Sequence, residues 1–133
     1  MKTVFADSFY FFALLNDRDP AHPRALEFLQ SYRGRLLTTG WILTEVADGL
    51  ANPVNRNSFL TTFNLLKSEP NVTIVECSAV LQEVGIDLYR ERPDKHWSLT
   101  DCISFVVMQR EGIFEALTGD KHFEQAGFVA LLK

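Results

Sequence analysis

The stretch Thr3-Val4-Phe5-Ala6-Asp7-Ser8 is a short apolar run that ends in a carboxylate and a hydroxyl. It is too short for a helix and rich in β-branched and aromatic residues, so it predicts a buried strand. The apolar stretch Phe9–Leu15 follows at once and predicts a helix. A strand that leads directly into a helix is the first half of a βαβ unit. In such folds ligands bind beyond the carboxyl ends of the strands, which is where Asp7 lies.

Strand-like and helix-like segments alternate through the rest of the chain. Four more strands are predicted at Leu36–Thr39, Val72–Val75, Ile113–Thr118 and Val129–Leu132. Helices are predicted between them, from Pro20 or Pro23 to Tyr32 with Gly34 as the stop, and at Trp41–Leu50, Phe59–Lys67, Ser78–Arg90, Ser98 to Gly112 and Lys121–Gln125. The alternation predicts one α/β domain over residues 1–133. Its parallel sheet is covered on both faces and joined by right-handed crossovers.

Composition restricts the class of protein. With 47% hydrophobic and 23% charged residues in 133, the chain is globular and long enough for one sizeable core. The net charge of -4 argues against a protein that holds nucleic acid through phosphate contacts alone. No apolar run is long enough to span a membrane and Asp7 comes too early for a secretory signal, so we expect a cytoplasmic protein. Cys77 and Cys102 are then expected to be reduced, buried thiols without a zinc signature.

Four carboxylates are candidates for a shared site. Asp7 and Asp120 each follow a predicted parallel strand, so both lie at one edge of the sheet. Glu45 lies in the first turns of the helix after the second strand. Asp101 lies in the first turn of the helix before the fourth strand, and it reaches the same edge only if that helix begins beside it. Glu45 is thus near the same edge, and the sequence predicts an acidic cluster that includes Asp7, Asp120 and Glu45, with Asp101 conditional on where its helix begins.

Each acid also has a purely structural interpretation. Asp7 or Ser8 is suited to cap the first helix, and Ser98-Leu99-Thr100-Asp101 fits a capping box. Asp120 follows a glycine in a turn, and Glu45 suits a solvated helix face. Taken singly, each acid fits these interpretations better than a functional one.

A shared site has a chemical consequence. Crowded carboxylates repel one another or take up protons unless cations lie between them. Mg²⁺ and Mn²⁺ prefer such oxygen ligands, and they activate water and stabilise the leaving oxygen of a phosphodiester. The hydroxyls of Ser8, Thr100 and Thr118 flank the acids; they either orient the carboxylates or bond to local backbone.

The order of these motifs resembles the PIN-domain ribonucleases, in particular their VapC-like single-domain branch. The resemblance is carried by Asp7-Ser8, Thr44-Glu45-Val46, Ser98–Asp101 and Leu117–Phe123. It implies a three-layer α/β/α sandwich with a five-stranded parallel sheet and Mg²⁺- or Mn²⁺-dependent hydrolysis of RNA. It also implies that the four acids are the metal ligands, with Asp120 acting partly through water. A small antitoxin partner, a role as the toxin of the pair, and a homodimer are further implications.

Other residues are candidates for contact with RNA or for proton transfer, and two of them also have a structural interpretation. Arg92, Lys95 and Lys121 are candidates for contacts with RNA phosphates. Trp97 either stacks on a base or packs against the next helix. His122 either carries a proton or holds a turn.

Two other functions are open. One is a non-catalytic RNA- or protein-binding module on the same fold. The other is a receiver-type phosphoacceptor domain with Asp7 as the acceptor, which is weakened because Phe5-Ala6 stands where such domains usually carry further acids.

Overall fold

The computed structural model describes residues 1–133 and contains one parallel sheet. The strand order β3-β2-β1-β4-β5 places β1 in the middle, with β2 and β4 as its parallel neighbours. The predicted five-stranded parallel sheet is therefore present. Its strands are β1 (Thr3–Ala6), β2 (Arg35–Thr39), β3 (Val72–Val75), β4 (Glu115–Leu117) and β5 (Val129–Ala130).

Seven helices connect and follow the strands. Helix α1 contacts α2 and α3, and α3 contacts α4, whereas α6 contacts α5 and α7 in a second group. None of the helices is of a length and apolarity that would allow it to cross a membrane. The helices are α1 (Ser8–Leu15), α2 (His22–Ser31), α3 (Gly40–Gly49), α4 (Arg56–Ser68), α5 (Ala79–Glu91), α6 (Leu99–Glu111) and α7 (Lys121–Gln125).

The core is centred on β1 and α6. Val4, Phe5 and Ala6 are completely buried, as expected for a parallel strand with helices on both faces. All seven residues from Cys102 to Met108 are buried, so α6 is enclosed by the rest of the molecule. Phe105 meets Phe123 edge to face at 5.0 Å between ring centroids, which joins α6 to α7. The chain segments that carry Asp7, Asp101 and Asp120 are thus anchored in one core.

Helix ends follow the capping residues in the sequence. The Ser78 hydroxyl accepts a hydrogen bond from the Leu81 N–H at 3.2 Å, and α5 begins at the next residue. Ser98 and Asp101 form the predicted capping box of α6. Gly112 ends that helix with a φ of 66°, a left-handed conformation that glycine adopts without strain.

The prediction that Gly34 stops α2 is wrong. The helix ends at Ser31, and Tyr32 is already extended. Gly34 is instead a point of close approach, because a Cβ there would collide with the Tyr32 hydroxyl and lie 2.7 Å from the Lys2 carbonyl oxygen. The Tyr32 hydroxyl donates to that carbonyl oxygen at 2.9 Å, which joins the end of α2 to the start of β1.

One of the two thiols also differs from the prediction. Both cysteines are free, and Cys102 is buried as expected, but Cys77 is exposed in the segment between β3 and α5. The difference has a physical reason, since no residue of β3 is fully buried. The segment that follows such an edge strand gains little cover from the core.

Candidate metal centre

Asp7 lies at the carboxyl end of β1 and is only 5% exposed. It holds the N-cap position of α1, yet its side chain makes no capping hydrogen bond. The Thr118 hydroxyl donates to Asp7 Oδ2 at 2.8 Å instead. Burial raises the pKa of Asp7 to about 7; the bond from Thr118 opposes this rise, and the charges of Asp101 and Glu45 add to it. The capping interpretation of Asp7 is therefore not realised.

Asp101 performs two tasks at the start of α6. Its Oδ2 accepts a hydrogen bond from the Ser98 N–H at 3.1 Å, and its own N–H donates to the Ser98 hydroxyl at 3.0 Å. The same carboxylate also faces the other acids. Burial raises its pKa, and the negative charge of Asp120 acts in the same direction. The helix does begin beside the sheet edge, so Asp101 reaches the cluster.

Asp120 follows β4 and is joined to Asp7 through one residue. Its N–H donates to the Thr118 hydroxyl oxygen at 3.0 Å, and that hydroxyl donates onward to Asp7. Asp120 Oδ1 accepts from the His122 N–H at 2.9 Å and so caps α7. Thr118 is completely buried. Its hydroxyl therefore contacts the carboxylate of Asp7 and the main chain of Asp120, as an orienting role would require.

The position of His122 beside two of the acids was not predicted from the sequence. Its Nδ1 lies 3.2 Å from Asp101 Oδ2 and 3.4 Å from Asp120 Oδ1. One ligand atom from each of these three residues lies within 4.8 Å of the others. His122 therefore belongs to the cluster itself. The available signal was its position two residues after Asp120, inside the first turn of a short helix.

Glu45, Ser8 and Thr100 are placed differently. Glu45 is half-buried on α3 and lies outside the compact group formed by Asp101, Asp120 and His122. Its charge still contributes to the raised pKa of Asp7, so it lies at the same edge. The hydroxyls of Ser8 and Thr100 make no hydrogen bond, in contrast to Thr118. The structure thus groups Asp101 with Asp120, links Asp7 to Asp120 through Thr118, and leaves Glu45 near enough for its charge to act on Asp7, with only one of the three flanking hydroxyls in a bonding role.

The residues present fit a divalent cation. No lysine or arginine pairs with the four acids, and His122 is the only basic group within ion-pair distance of any of them. Burial first, and the nearby charges of Asp101 and Glu45 in addition, keep the pKa of Asp7 raised. A bound cation relieves this repulsion, and carboxylate oxygens are the donors that hard divalent ions prefer.

The predicted RNA-contact residues have different partners. Arg92 donates two hydrogen bonds of 3.0 Å to Asp94, and its guanidinium lies 5.2 Å from the Trp97 ring centroid. Lys95 is 3.9 Å from the same Asp94 carboxylate. Lys121 is exposed at the start of α7 and has no acidic partner. Of the three predicted contacts, Lys121 alone carries an unpaired charge.

Trp97 packs against the next helix, as the second of its two predicted roles requires. It is 6% exposed and packs edge to face against Phe105 of α6 at 5.0 Å. Its Nε1–H donates to Gln125 Oε1 at 3.1 Å. A ring held in this way secures the loop before α6 to α7, and its faces are not free to stack on a base.

A fold and a cluster of this kind define a class of protein. The family model described as PIN domain matches residues 4–129, and the chain belongs to that family. It is 26% identical over 126 residues to the 23S rRNA-specific endonuclease VapC20 of two Mycobacterium tuberculosis strains, which covers 95% of each chain.

Solved structures give the same result. The crystal structure of M. tuberculosis VapC20, a Sarcin-Ricin loop cleaving toxin, has a TM-score of 0.86 at 25% identity and covers 95% of this chain and 96% of that one. VapBC2 from Rickettsia felis and FitAcB from Neisseria gonorrhoeae share the fold, with TM-scores of 0.67 and 0.68 at 13% and 14% identity over 96% of this chain and 96% and 95% of theirs. The resemblance to VapC-like PIN domains and the predicted sandwich fold are confirmed.

Proposed function

We propose that this protein is a metal-dependent endoribonuclease that hydrolyses RNA phosphodiester bonds. We further propose that it is the toxin of a toxin–antitoxin pair and acts in the cytoplasm. One observation carries the enzymatic proposal: acids from β1, α6 and the end of β4 converge at one edge of the sheet without lysine or arginine partners. Family membership and similarity to VapC20 support the predicted class of enzyme.

The proposed ligands of Mg²⁺ or Mn²⁺ are Asp7, Glu45, Asp101 and Asp120. When bound, such an ion supplies Lewis acidity toward a phosphodiester and lowers the pKa of water. The chain contributes the positions of the carboxylates. Thr118 holds Asp7 through its hydroxyl, and the caps of α6 and α7 hold one oxygen each of Asp101 and Asp120. Oriented carboxylates lose little freedom when they bind an ion.

We assign the substrate surface to a cavity that is linked to this cluster through the start of α6. A cavity of about 740 Å³ lies between the end of α5 and the start of α6, and Cys102 in its wall directly follows Asp101. The cavity is lined in part by Tyr89, Arg90, Arg92, Lys95 and His96. A local basic and aromatic lining suits single-stranded RNA even though the whole chain is acidic. Lys121, which is exposed directly after Asp120, adds a further positive charge.

The proposed antitoxin site is a second surface. An apolar groove of about 920 Å³ runs between α1, α2 and α4. Its wall includes Leu29 and Leu65, which are 53% and 57% exposed. Leucines exposed to this extent along a groove are typical of a surface that a partner covers. We assign the groove to a small antitoxin, and we propose a homodimer because the resemblance implies one.

The decisive experiment is cleavage by purified protein. Ribosomes and 23S rRNA are suitable substrates, given the similarity to VapC20, and cleavage is expected with Mn²⁺ or Mg²⁺ but not with EDTA. Asp7→Asn and Asp101→Asn are expected to lower the rate by on the order of 10³-fold, since each removes a ligand charge. Asp48→Asn is the control, because Asp48 is an exposed acid on the same helix as Glu45.

Two outcomes would contradict the proposed ribonuclease function. Unchanged cleavage by both Asp→Asn variants would remove the acids from the chemistry. RNA binding that persists in EDTA, without cleavage under either metal, would favour the non-catalytic binding module.

A further inference from the structure

We propose that His122 is itself a metal ligand. Its Nδ1 joins Asp101 Oδ2 and Asp120 Oδ1 in a mixed nitrogen–oxygen set that favours Mn²⁺ over Mg²⁺. This inference rests on the proposed metal-dependent function and deepens it by naming the ion that the site selects.

The distances in the cluster suit shared coordination. Nδ1 of His122 lies 3.2 Å from Asp101 Oδ2 and 3.4 Å from Asp120 Oδ1. Neighbouring ligand atoms of an octahedral ion with bonds of about 2.1–2.2 Å lie roughly 3 Å apart. All three atoms lie within 4.8 Å of one another. A small shift brings them to three adjacent positions around one ion.

The two carboxylates do not depend on the imidazole for their orientation. Asp101 Oδ2 is already held by the Ser98 N–H at 3.1 Å. Asp120 Oδ1 is held by the His122 backbone N–H at 2.9 Å. Each oxygen therefore keeps its position through a main-chain donor of a helix cap. The imidazole is therefore not needed to hold them, and a bound ion would replace the Nδ1 proton of His122 and leave the remaining ring proton on Nε2.

His22 shows what a structural histidine looks like in the same protein. Its Nδ1 lies 2.9 Å from the Ala13 carbonyl oxygen, so this nitrogen must carry a proton and donates. That ring ties α2 to α1 and faces no acid. Nδ1 of His122 also faces only acceptors and carries a proton in the metal-free protein, but these acceptors are carboxylate oxygens that themselves bind cations, so an ion can take the place of that proton.

The metal preference follows from ligand chemistry. Mg²⁺ is bound by oxygen ligands and retains its waters, whereas Mn²⁺, a transition-metal ion, accepts an imidazole nitrogen more readily. Asp7 and Glu45 add only oxygen, so they favour neither ion. The imidazole is the one donor in the cluster that discriminates between the two.

Electron paramagnetic resonance of the Mn²⁺-loaded full chain tests the inference directly. We expect a ¹⁴N hyperfine coupling in the wild type that changes to ¹⁵N when histidine is isotopically labelled. The coupling should disappear in His122→Gln and persist in His96→Gln, a control at an exposed histidine of the nearby loop. The wild-type measurement needs no variant, so a folding defect in His122→Gln leaves the test intact.

Calorimetric titration gives the second readout. His122→Gln is expected to lower Mn²⁺ affinity about tenfold and Mg²⁺ affinity much less. His122→Asp replaces nitrogen by oxygen, so it should narrow the preference for Mn²⁺. Mn²⁺ bound without nitrogen coupling would overturn the inference and leave the proposed function standing. A wild type that binds neither ion, together with undiminished cleavage in Asp7→Asn, would overturn both.

Discussion

Helices α4 and α6 have the same length, 13 residues, and opposite surroundings. Seven consecutive residues of α6 are buried, whereas α4 has no buried residue and lies over the edge strand β3. Asp101 is carried by the enclosed helix, while the apolar groove is bordered by the exposed one. The carboxylates are therefore fixed by the core, and the proposed partner surface can change in sequence without disturbing them.

The largest expected difference between the two helices concerns aromatic packing. Phe105→Ala on α6 should lower the free energy of unfolding by about 3–5 kcal/mol, because a fully buried ring leaves a cavity among Trp97, Phe123 and Phe128. Phe63→Ala on α4 should cost on the order of 1 kcal/mol, since that ring is only half-buried and stacks on Phe59. Urea unfolding measures both, and equal losses would contradict the contrast.

The next largest effect is a pH dependence of the free energy of unfolding that comes from Asp7. Its folded pKa of about 7 lies above the unfolded value near 3.8, so the folded state binds the proton more tightly. The free energy of unfolding of the metal-free protein should therefore fall as pH rises from about 4 to 7, by at most roughly 4 kcal/mol. Above that range both states are ionised and the curve is flat.

Asp7→Asn removes this dependence while it keeps an acceptor for the Thr118 hydroxyl. The variant should be more stable than the wild type at pH 8 and lose that advantage near pH 4, as measured by denaturant unfolding in EDTA. Asp48→Asn, at an exposed acid, should leave the pH profile unchanged. A large destabilisation of metal-free Asp7→Asn at pH 8 would show that the carboxylate serves the fold instead.

A smaller effect concerns how closely α5 approaches α6. Gly85 is buried, and a Cβ there would collide with Ile103 Cγ1 and lie 3.4 Å from the Ile103 Cα. Gly85→Ala should cost about 1–3 kcal/mol because the helices must separate. In an Ile103→Ala background the same change should cost much less. Thermal unfolding of the wild type, the two single variants and the double variant measures this coupling. Losses of unfolding free energy that simply add in the double variant would contradict it.

The helix starts and the sheet edge that gathers the acids can be predicted from the sequence for physical reasons. Capping signals at Ser78 and Ser98 act over three residues, so they mark helix starts reliably. Parallel strands end at one edge, and this rule brings Asp7 and Asp120 together before any coordinates are known. Asp101 needed the fold, because its distance from Asp7 depends on the path of the loop before α6.

Other features depend on single rotamers and close contacts that periodicity does not encode. His122 belongs to the acidic cluster only because its ring turns toward α6 within a five-residue helix. Gly34 has a role set by the Tyr32 hydroxyl and the Lys2 carbonyl oxygen, which come from different parts of the chain. Local patterns predict elements and edges, whereas donor atoms that meet across elements require the packed structure.

The smallest predicted effect compares the two serine caps. Ser78→Ala and Ser98→Ala each remove one hydrogen bond to the first turn of a helix and should cost about 1 kcal/mol. Only Ser98 shares its capping box with Asp101, so only Ser98→Ala loosens the helical turn that carries a proposed ligand, although the Ser98 N–H still donates to Asp101 Oδ2. The rise in melting temperature on adding Mn²⁺ should therefore shrink in Ser98→Ala and stay at the wild-type value in Ser78→Ala. An equal rise in both variants would mean that the sheet edge and Thr118 are enough to position the acids without the cap.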